Sequence, residues 1–548
     1  MRLLFLFLIG SFFLNSCISG TNSHECILFT NLKAYSFHGD SVMEYEAILV
    51  AQDEIIAIGT EDSLAKINPD AKKVSLNGQH VYPALHDAHT HFYAFGRGLT
   101  ELNLKGITSW QSAVESLVEY GLNNPERTWL IGRGWDQNLW EGQAFPDRAA
   151  LDSLFPDKPV LLKRVDGHAA VVNAAALKRA KLNEETVIEG GALLKRSNGE
   201  LSGVLIDNAV DAVSKLIPPP NFAEVRQSLL AAQEVCIQYG IGAVTEAGLD
   251  LPIVLAIDSL QRSGELKLRV IVMLNPGEAE FQFAKDQGIY RTPNLRVGSF
   301  KLYADGALGS RGALLKSPYC DAPTQGLALN IPAYFDQTCE RVLELGYQAC
   351  THCIGDSANS LMLDVYSRLL KPENDKRWRI EHAQVVDLND LDKFKRWKII
   401  PSVQPTHATS DMQWVEARLC AEREHGAYAY RSLLKSVGLL ALGTDFPVEE
   451  VNPFLTYLSA VFRKNSALEP EQGYRNEEKL STFETLKGMT YWPAYAGFTE
   501  DEYGSLQVGQ KADFLMLEKP IESYSQKDLA KGDFVQELWL SGVLVWKR

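Results

Sequence analysis

Short apolar runs recur along most of this chain, and their spacing divides it into three parts. Alternating segments at 47–50, 55–59 and 73–76 have the period of half-buried strands. A matching set stands near the far end, at 512–517, 537–540 and 543–546. The two sets predict one small β-sandwich domain built from both termini, residues 24–82 and 505–548. Between them, over 83–504, apolar strands alternate with longer helical stretches, the pattern of a parallel sheet covered by helices. Eight candidate strands, at 81–85, 242–246, 268–274, 297–303, 347–353, 378–382, 399–403 and 439–444, suffice for an α/β fold of the (β/α)8 TIM-barrel type. Segments 129–132 and 160–164 are left over. The stretch from 85 to 242 is far longer than one crossover helix requires, so it predicts an insertion after strand 1, a subdomain at about 104–221. Pro218-Pro219-Pro220 closes it, ahead of a helical pattern over 222–239.

Composition narrows the class. The 548 residues are 46% hydrophobic and 22% charged, an ordinary globular balance. Acidic residues (69) outnumber Lys and Arg (54), for a net charge of −15, which leaves no basic footprint for nucleic acid. Arg2 precedes an apolar run over 3–13 that is too short to span a bilayer, for which ~20 residues are needed. It reads as an export signal peptide, residues 1–16. Leu14-Asn15-Ser16-Cys17 resembles the bacterial lipobox, which implies lipidation of Cys17, a tether over 17–23, and a lipoprotein of the bacterial cell envelope held to the membrane by that anchor. The other seven cysteines are an odd number and predict buried thiols rather than a disulfide framework. Cys350 and Cys353 form a C-x-x-C, but on a strand and without a second pair.

Asp87-Ala88-His89-Thr90-His91 follows the first predicted strand, and residues two apart on an extended chain share a face. His89 and His91 can therefore grip one metal ion. Lys301, His352, His382 and Asp445 fall at the carboxyl ends of later strands, the rim where barrel active sites lie.

Seven stretches together make the chain similar to the amidohydrolase superfamily, in the branch called amidohydrolase family 3, which includes N-substituted formamide deformylase. They are Pro83-Ala84-Leu85-His86-Asp87-Ala88-His89-Thr90-His91, Gly132-Arg133-Gly134-Trp135-Asp136, Asp166-Gly167-His168, Lys301-Leu302-Tyr303-Ala304-Asp305-Gly306, His352-Cys353-Ile354-Gly355-Asp356, Ile380-Glu381-His382-Ala383-Gln384 and Gly443-Thr444-Asp445-Phe446-Pro447-Val448. The resemblance implies two divalent ions, usually zinc, one held by His89, His91 and Asp445 and the other by His352 and His382. Lys301 would bridge them. An ammonium has no lone pair for a metal, so that role requires a carbamate on Lys301. Asp445 would take a proton from water and deliver it to the leaving nitrogen, hydrolysing the C–N bond of a small N-acyl or N-formyl substrate.

His86 departs from the family pattern, and strand alternation points it away from His89 and His91, to a packed position. His168 and His407 either face the substrate or are structural. Trp135, Asp136 and Arg311 form a second substrate-binding tier, an aromatic wall and a cation for a substrate carboxylate, with packing the favoured reading for Trp135. His24, His38, His80 and His425 read as surface or loop residues. Two other functions compete: a mononuclear deaminase of the same superfamily, which needs no bridging lysine, and a non-catalytic envelope lipoprotein that keeps the barrel as a scaffold. Oligomeric state is not encoded in any of these motifs.

Overall fold

A computed structural model describes residues 26–37, 39–164, 169–188 and 191–548. The export signal, Cys17, His24, His38 and His168 lie outside the described residues. Eight parallel strands follow one another in sequence order around a nearly closed barrel. They are β1 (Leu85–Thr90), β2 (Ile241–Leu249), β3 (Arg269–Leu274), β4 (Leu295–Tyr303), β5 (Gln348–Cys353), β6 (Arg379–His382), β7 (Ile400–Val403) and β8 (Ala441–Leu442). The mixed α/β barrel expectation holds, with one correction at its start. Residues 81–83 end a different strand, Lys72–Pro83, which pairs antiparallel with Phe514–Leu517 in the terminal sheet. The true β1 begins at Leu85, and every residue through Thr90 is buried, His86 and Asp87 included. Polar residues inside this barrel strand break the apolar signal, and periodicity alone therefore places the strand one segment too early.

The seam between β8 and β1 is closed beyond β8 itself. Asp445 N–H donates to the His89 carbonyl and His91 N–H to the Phe446 carbonyl, both at 2.8 Å. The Asp87 carboxylate takes the Thr444 N–H at 3.0 Å and the Thr444 hydroxyl at 2.7 Å. Chain approach here is so close that a Cβ on Gly443 would stand 2.6 Å from the His89 nitrogen. Glycine is the residue that fits.

Segments from both ends meet, as expected, but they pair as one eight-stranded sheet and not as a sandwich of two sheets. The sheet curls over its own core. Phe29 and Trp539, on strands with two others between them in the sheet order, bring their rings within 5.1 Å. His80 is correspondingly buried there, against the Tyr35 hydroxyl at 2.7 Å, and is not the surface residue its polarity suggested. A buried ion pair ties this sheet to the barrel: Arg269, opening β3, meets Asp513 at 2.5 and 2.9 Å.

The two left-over segments belong to a third, six-stranded sheet that runs from Leu102 to Asp207, with its own apolar core. The helix Phe222–Gln238 leads back to the barrel and starts with a capping box, Asn221 taking the Glu224 N–H and Glu224 the Asn221 N–H. It packs on the helix Phe92–Thr100 that follows His91, closely enough that a Cβ on Gly96 would sit 2.0 Å from the Ser228 carbonyl oxygen. The exit from the His89–His91 segment is thereby held in place.

One disulfide, Cys320–Cys420, joins the loops after β4 and β7, with Cα atoms 5.9 Å apart across 100 residues of sequence. Buried thiols were expected at most of the seven positions. The pairing was invisible in the sequence because only the barrel brings those two loops together. Cys236, Cys339, Cys350 and Cys353 are buried free thiols.

Candidate metal centre

Asp445, just past β8, is the focus of the rim. Its Oδ1 lies 3.2 Å from Nε2 of His91 and 3.6 Å from Nε2 of His89. Its Oδ2 lies 3.6 Å from Nε2 of His407, in the segment after β7. Lys301, near the carboxyl end of β4, is buried and places Nζ 3.1 Å from Nε2 of His89. The His382 ring, ending β6, packs 4.9 Å from that of His89 and 4.5 Å from that of His352. Residues from strands 1, 4, 5, 6, 7 and 8 thus reach one place, because parallel strands deliver their carboxyl ends to the same face of a barrel.

The arrangement suits a cation. Two ligands on one tetrahedral zinc, each at ~2.0–2.1 Å, stand about 3.3 Å apart. The separations of 3.2 and 3.6 Å around Asp445 match that spacing. Among the described residues, two groups hold their ligand atoms within 4.8 Å of one another: His89, His91 and Asp445, and His382, His407 and Asp445. Nε2 of His352, Nε2 of His407 and Oδ1 of Asp445 are buried without a hydrogen bond, an arrangement that calls for an ion or water. Burial, with the nearby Lys301 charge, lowers His89 to about 4, and burial holds His382 well below its usual range. Both rings are neutral at physiological pH and keep a lone pair for a metal. Burial alone would raise Asp445, but the close imidazoles of His91, His89, His382 and His407 outweigh it and keep the carboxylate ionised. His382 and Asp445 also hold φ of 73° and 63°, a left-handed backbone that costs on the order of 1–3 kcal/mol and is found at functional sites.

The supports of these side chains were missed from the sequence. Glu381, fully buried, takes Nδ1–H of His89 at 2.5 Å, which leaves Nε2 to face Asp445. Arg379, equally buried, balances Glu381 with a 3.0 Å hydrogen bond and also donates to Ala88 O and Ser402 Oγ, both at 2.7 Å. Gln404 does for His382 what Glu381 does for His89, at 2.7 Å. Asp305 accepts the N–H groups of Ile354, Gly355 and Leu314 at 2.9, 2.7 and 2.8 Å and fixes the chain after β5. Glu246 on β2 accepts the Phe92 N–H at the start of the helix after His91, and burial raises it to about 7. Carboxylates one residue from a histidine motif, or closing a barrel strand, were the available signal.

The remaining candidates fall into place unevenly. His352 is beside the cluster, but its Nε2 faces Asp305 Oδ1 at 3.7 Å and lies outside both three-residue groups. His86 is packed, as expected, against the Thr245 hydroxyl at 3.0 Å. Trp135 is not an aromatic wall: it is fully buried in the core of the inserted sheet, its indole N–H donating to Leu162 O at 2.7 Å. Asp136 pairs with Arg164 at 2.7 Å. Arg311 is committed to Asp321 through two 2.9 Å hydrogen bonds, a carboxylate that Arg418 also contacts.

A nearly closed parallel barrel with a buried histidine and carboxylate cluster at its rim defines a metal-dependent hydrolase. The profile described as the Amidohydrolase family matches residues 72–546, and the chain belongs to that family, a hydrolase acting on carbon–nitrogen bonds. It is 33% identical over 484 residues to the Bacillus subtilis (strain 168) protein named as amidohydrolase YtcJ, covering 86% of this chain and 90% of that one. It is 24% identical over 539 residues to N-substituted formamide deformylase of Arthrobacter pascens, covering 92% and 95%. A metal-dependent hydrolase from Pyrococcus horikoshii OT3, titled uncharacterized, superimposes with a TM-score of 0.78 at 26% identity, over 92% of this chain and 99% of that one.

Proposed function

We propose that the chain hydrolyses the amide-type C–N bond of a small N-acyl or N-formyl compound at the carboxyl-end rim of its barrel. The observation that carries this reading is the convergence of His89, His91, His382 and His407 on the buried carboxylate Asp445, with Lys301 against His89. The relative named N-substituted formamide deformylase supports the substrate class. Imidazole and carboxylate donors suit zinc, and two such ions bound here would supply a Lewis acid for the carbonyl and lower the pKa of water.

The chain's own residues do the rest. His89 and His91 would hold the first ion, oriented by Glu381 and by the hydrogen bonds across the seam. Asp445 accepts a proton from water at a carboxylate oxygen and returns it to the leaving nitrogen. Burial lowers the Lys301 amine from its ordinary range, which favours the neutral form that reacts with carbon dioxide. In that step the Nζ–C bond forms, one N–H proton leaves, and the product carbamate offers two oxygen donors. The test is a panel of N-formyl and N-acyl amines, offered to protein reconstituted with zinc and bicarbonate. Release of free amine, abolished by a chelator and restored by zinc, is expected. Ammonia release from cyclic amidines, with every amide left intact, would overturn the reading.

We also propose that the chain is an envelope lipoprotein anchored through Cys17, on the strength of the Leu14-Asn15-Ser16-Cys17 motif. The Cys320–Cys420 disulfide supports an oxidising compartment. Expressed in a bacterium with its leader, the protein should enter the detergent phase of Triton X-114, and Cys17→Ser should not. Equal partitioning of the two would refute the anchor.

A further inference from the structure

The two donor groups at the rim share Asp445, one carboxylate oxygen facing each. Oδ1 points to His91 at 3.2 Å, and Oδ2 to His407 at 3.6 Å. We propose that His407 is a ligand of the second metal ion, which it holds together with His382 and a bridging Asp445. The proposal rests on the metal-dependent reading above and changes its ligand set.

Three features of the segment after β7 carry it. First, Nε2 of His407 is buried and makes no hydrogen bond, although two carboxylates lie near: Asp445 at 3.6 Å and Glu449 at 4.0 Å. Neither distance is a hydrogen bond, whereas 3.6 Å is close to the separation of about 3.3 Å between two ligands of one ion. Glu449 is occupied by the Ser410 hydroxyl at 2.6 Å. Second, the His407 ring lies nearly parallel to that of His382, with centroids 5.8 Å apart and planes 24° apart, and the ligand atoms of both lie within 4.8 Å of an Asp445 oxygen. Third, the same turn of chain orients the neighbouring ligand. Gln404 accepts Nδ1–H of His382 at 2.7 Å, which leaves Nε2 of His382 free for a metal, and the Gln404 carbonyl takes the His407 N–H at 3.1 Å. One short segment therefore both aims His382 and supplies its partner. His352, which the family resemblance assigns to this ion, stands outside the group, its Nε2 3.7 Å from Asp305 Oδ1 without a hydrogen bond.

The test counts metal without reference to turnover. Full-length protein reconstituted with zinc and bicarbonate is dialysed against metal-free buffer and analysed by inductively coupled plasma mass spectrometry, alongside His407→Ala and His407→Asp. Wild type should retain about two ions per chain, His407→Ala about one, and His407→Asp, which restores an oxygen donor, about two. If alanine prevents folding, His407→Gln keeps the volume without an equivalent ligand and is expected to hold about one. Cobalt-substituted His407→Ala and His407→Gln should likewise lose part of the visible absorption of the cobalt-substituted wild type. Retention of both ions by His407→Ala or His407→Gln, with unchanged release to a chelator, would overturn the proposal. Wild type that binds no ion at all would overturn the metal-dependent reading itself, so the two failures are distinct.

Discussion

Asp445→Asn is expected to lower kcat by about 10²- to 10⁴-fold, the range attributed to a positioned general acid or base, while the folded barrel persists. The substitution is nearly isosteric. Asparagine also tolerates the left-handed backbone that Asp445 adopts at φ 63°. What is lost is the charge that both donor groups share and the oxygen that accepts a proton. The N–H of residue 445, which closes the seam onto the His89 carbonyl, is retained. Circular dichroism should therefore look native while steady-state kinetics collapse and the metal count falls. A kcat within roughly threefold of wild type would remove Asp445 from the reaction.

Glu381→Gln should be the most damaging conservative change to stability. It strands the guanidinium of Arg379 in a site without solvent, and breaking a buried pair by removing one partner costs about 3–5 kcal/mol. It also removes the charged acceptor that orients His89, for which a fall of about 10- to 100-fold in metal affinity is expected. Burial pushes Glu381 up, but Arg379 and His89 more than offset it, so its folded pKa lies below the unfolded value of ~4.3. The stabilisation is therefore fully present above that pH and is lost as the pH falls toward the folded pKa. The double variant Arg379→Met/Glu381→Gln should recover part of the stability, since no bare charge remains, but none of the metal affinity. Urea denaturation at pH 7 and chelator competition separate the two effects. A stability loss under about 1 kcal/mol for Glu381→Gln would show that the pair is solvated after all.

The family motifs were legible because metal chemistry restricts residue type: few side chains besides histidine, carboxylate and carbamylated lysine suit a hydrolytic zinc centre. Barrel strands β2 and β3 were legible because strands buried on both faces are largely apolar runs. The same logic failed at β1, where His86 and Asp87 are buried through hydrogen bonds to Thr245 and Thr444. A buried polar residue with its partner far away in sequence looks like a surface residue until the partner is known. Trp135, a large aromatic in a family-like motif, packs in the core of the inserted sheet.

From residue order alone came the repeating strand and helix units, the insertion after the first strand, the meeting of the two ends and the set of metal-competent side chains. Those follow from local periodicity and from chemistry that belongs to each residue by itself. Tertiary structure alone decided that the terminal strands curl as one sheet, that Cys320 meets Cys420, that Glu381 and Gln404 aim the histidines, and that His407 stands closer to the shared carboxylate than His352 does. Each of these depends on contacts across long stretches of chain, between side chains whose distances are set only when the barrel closes.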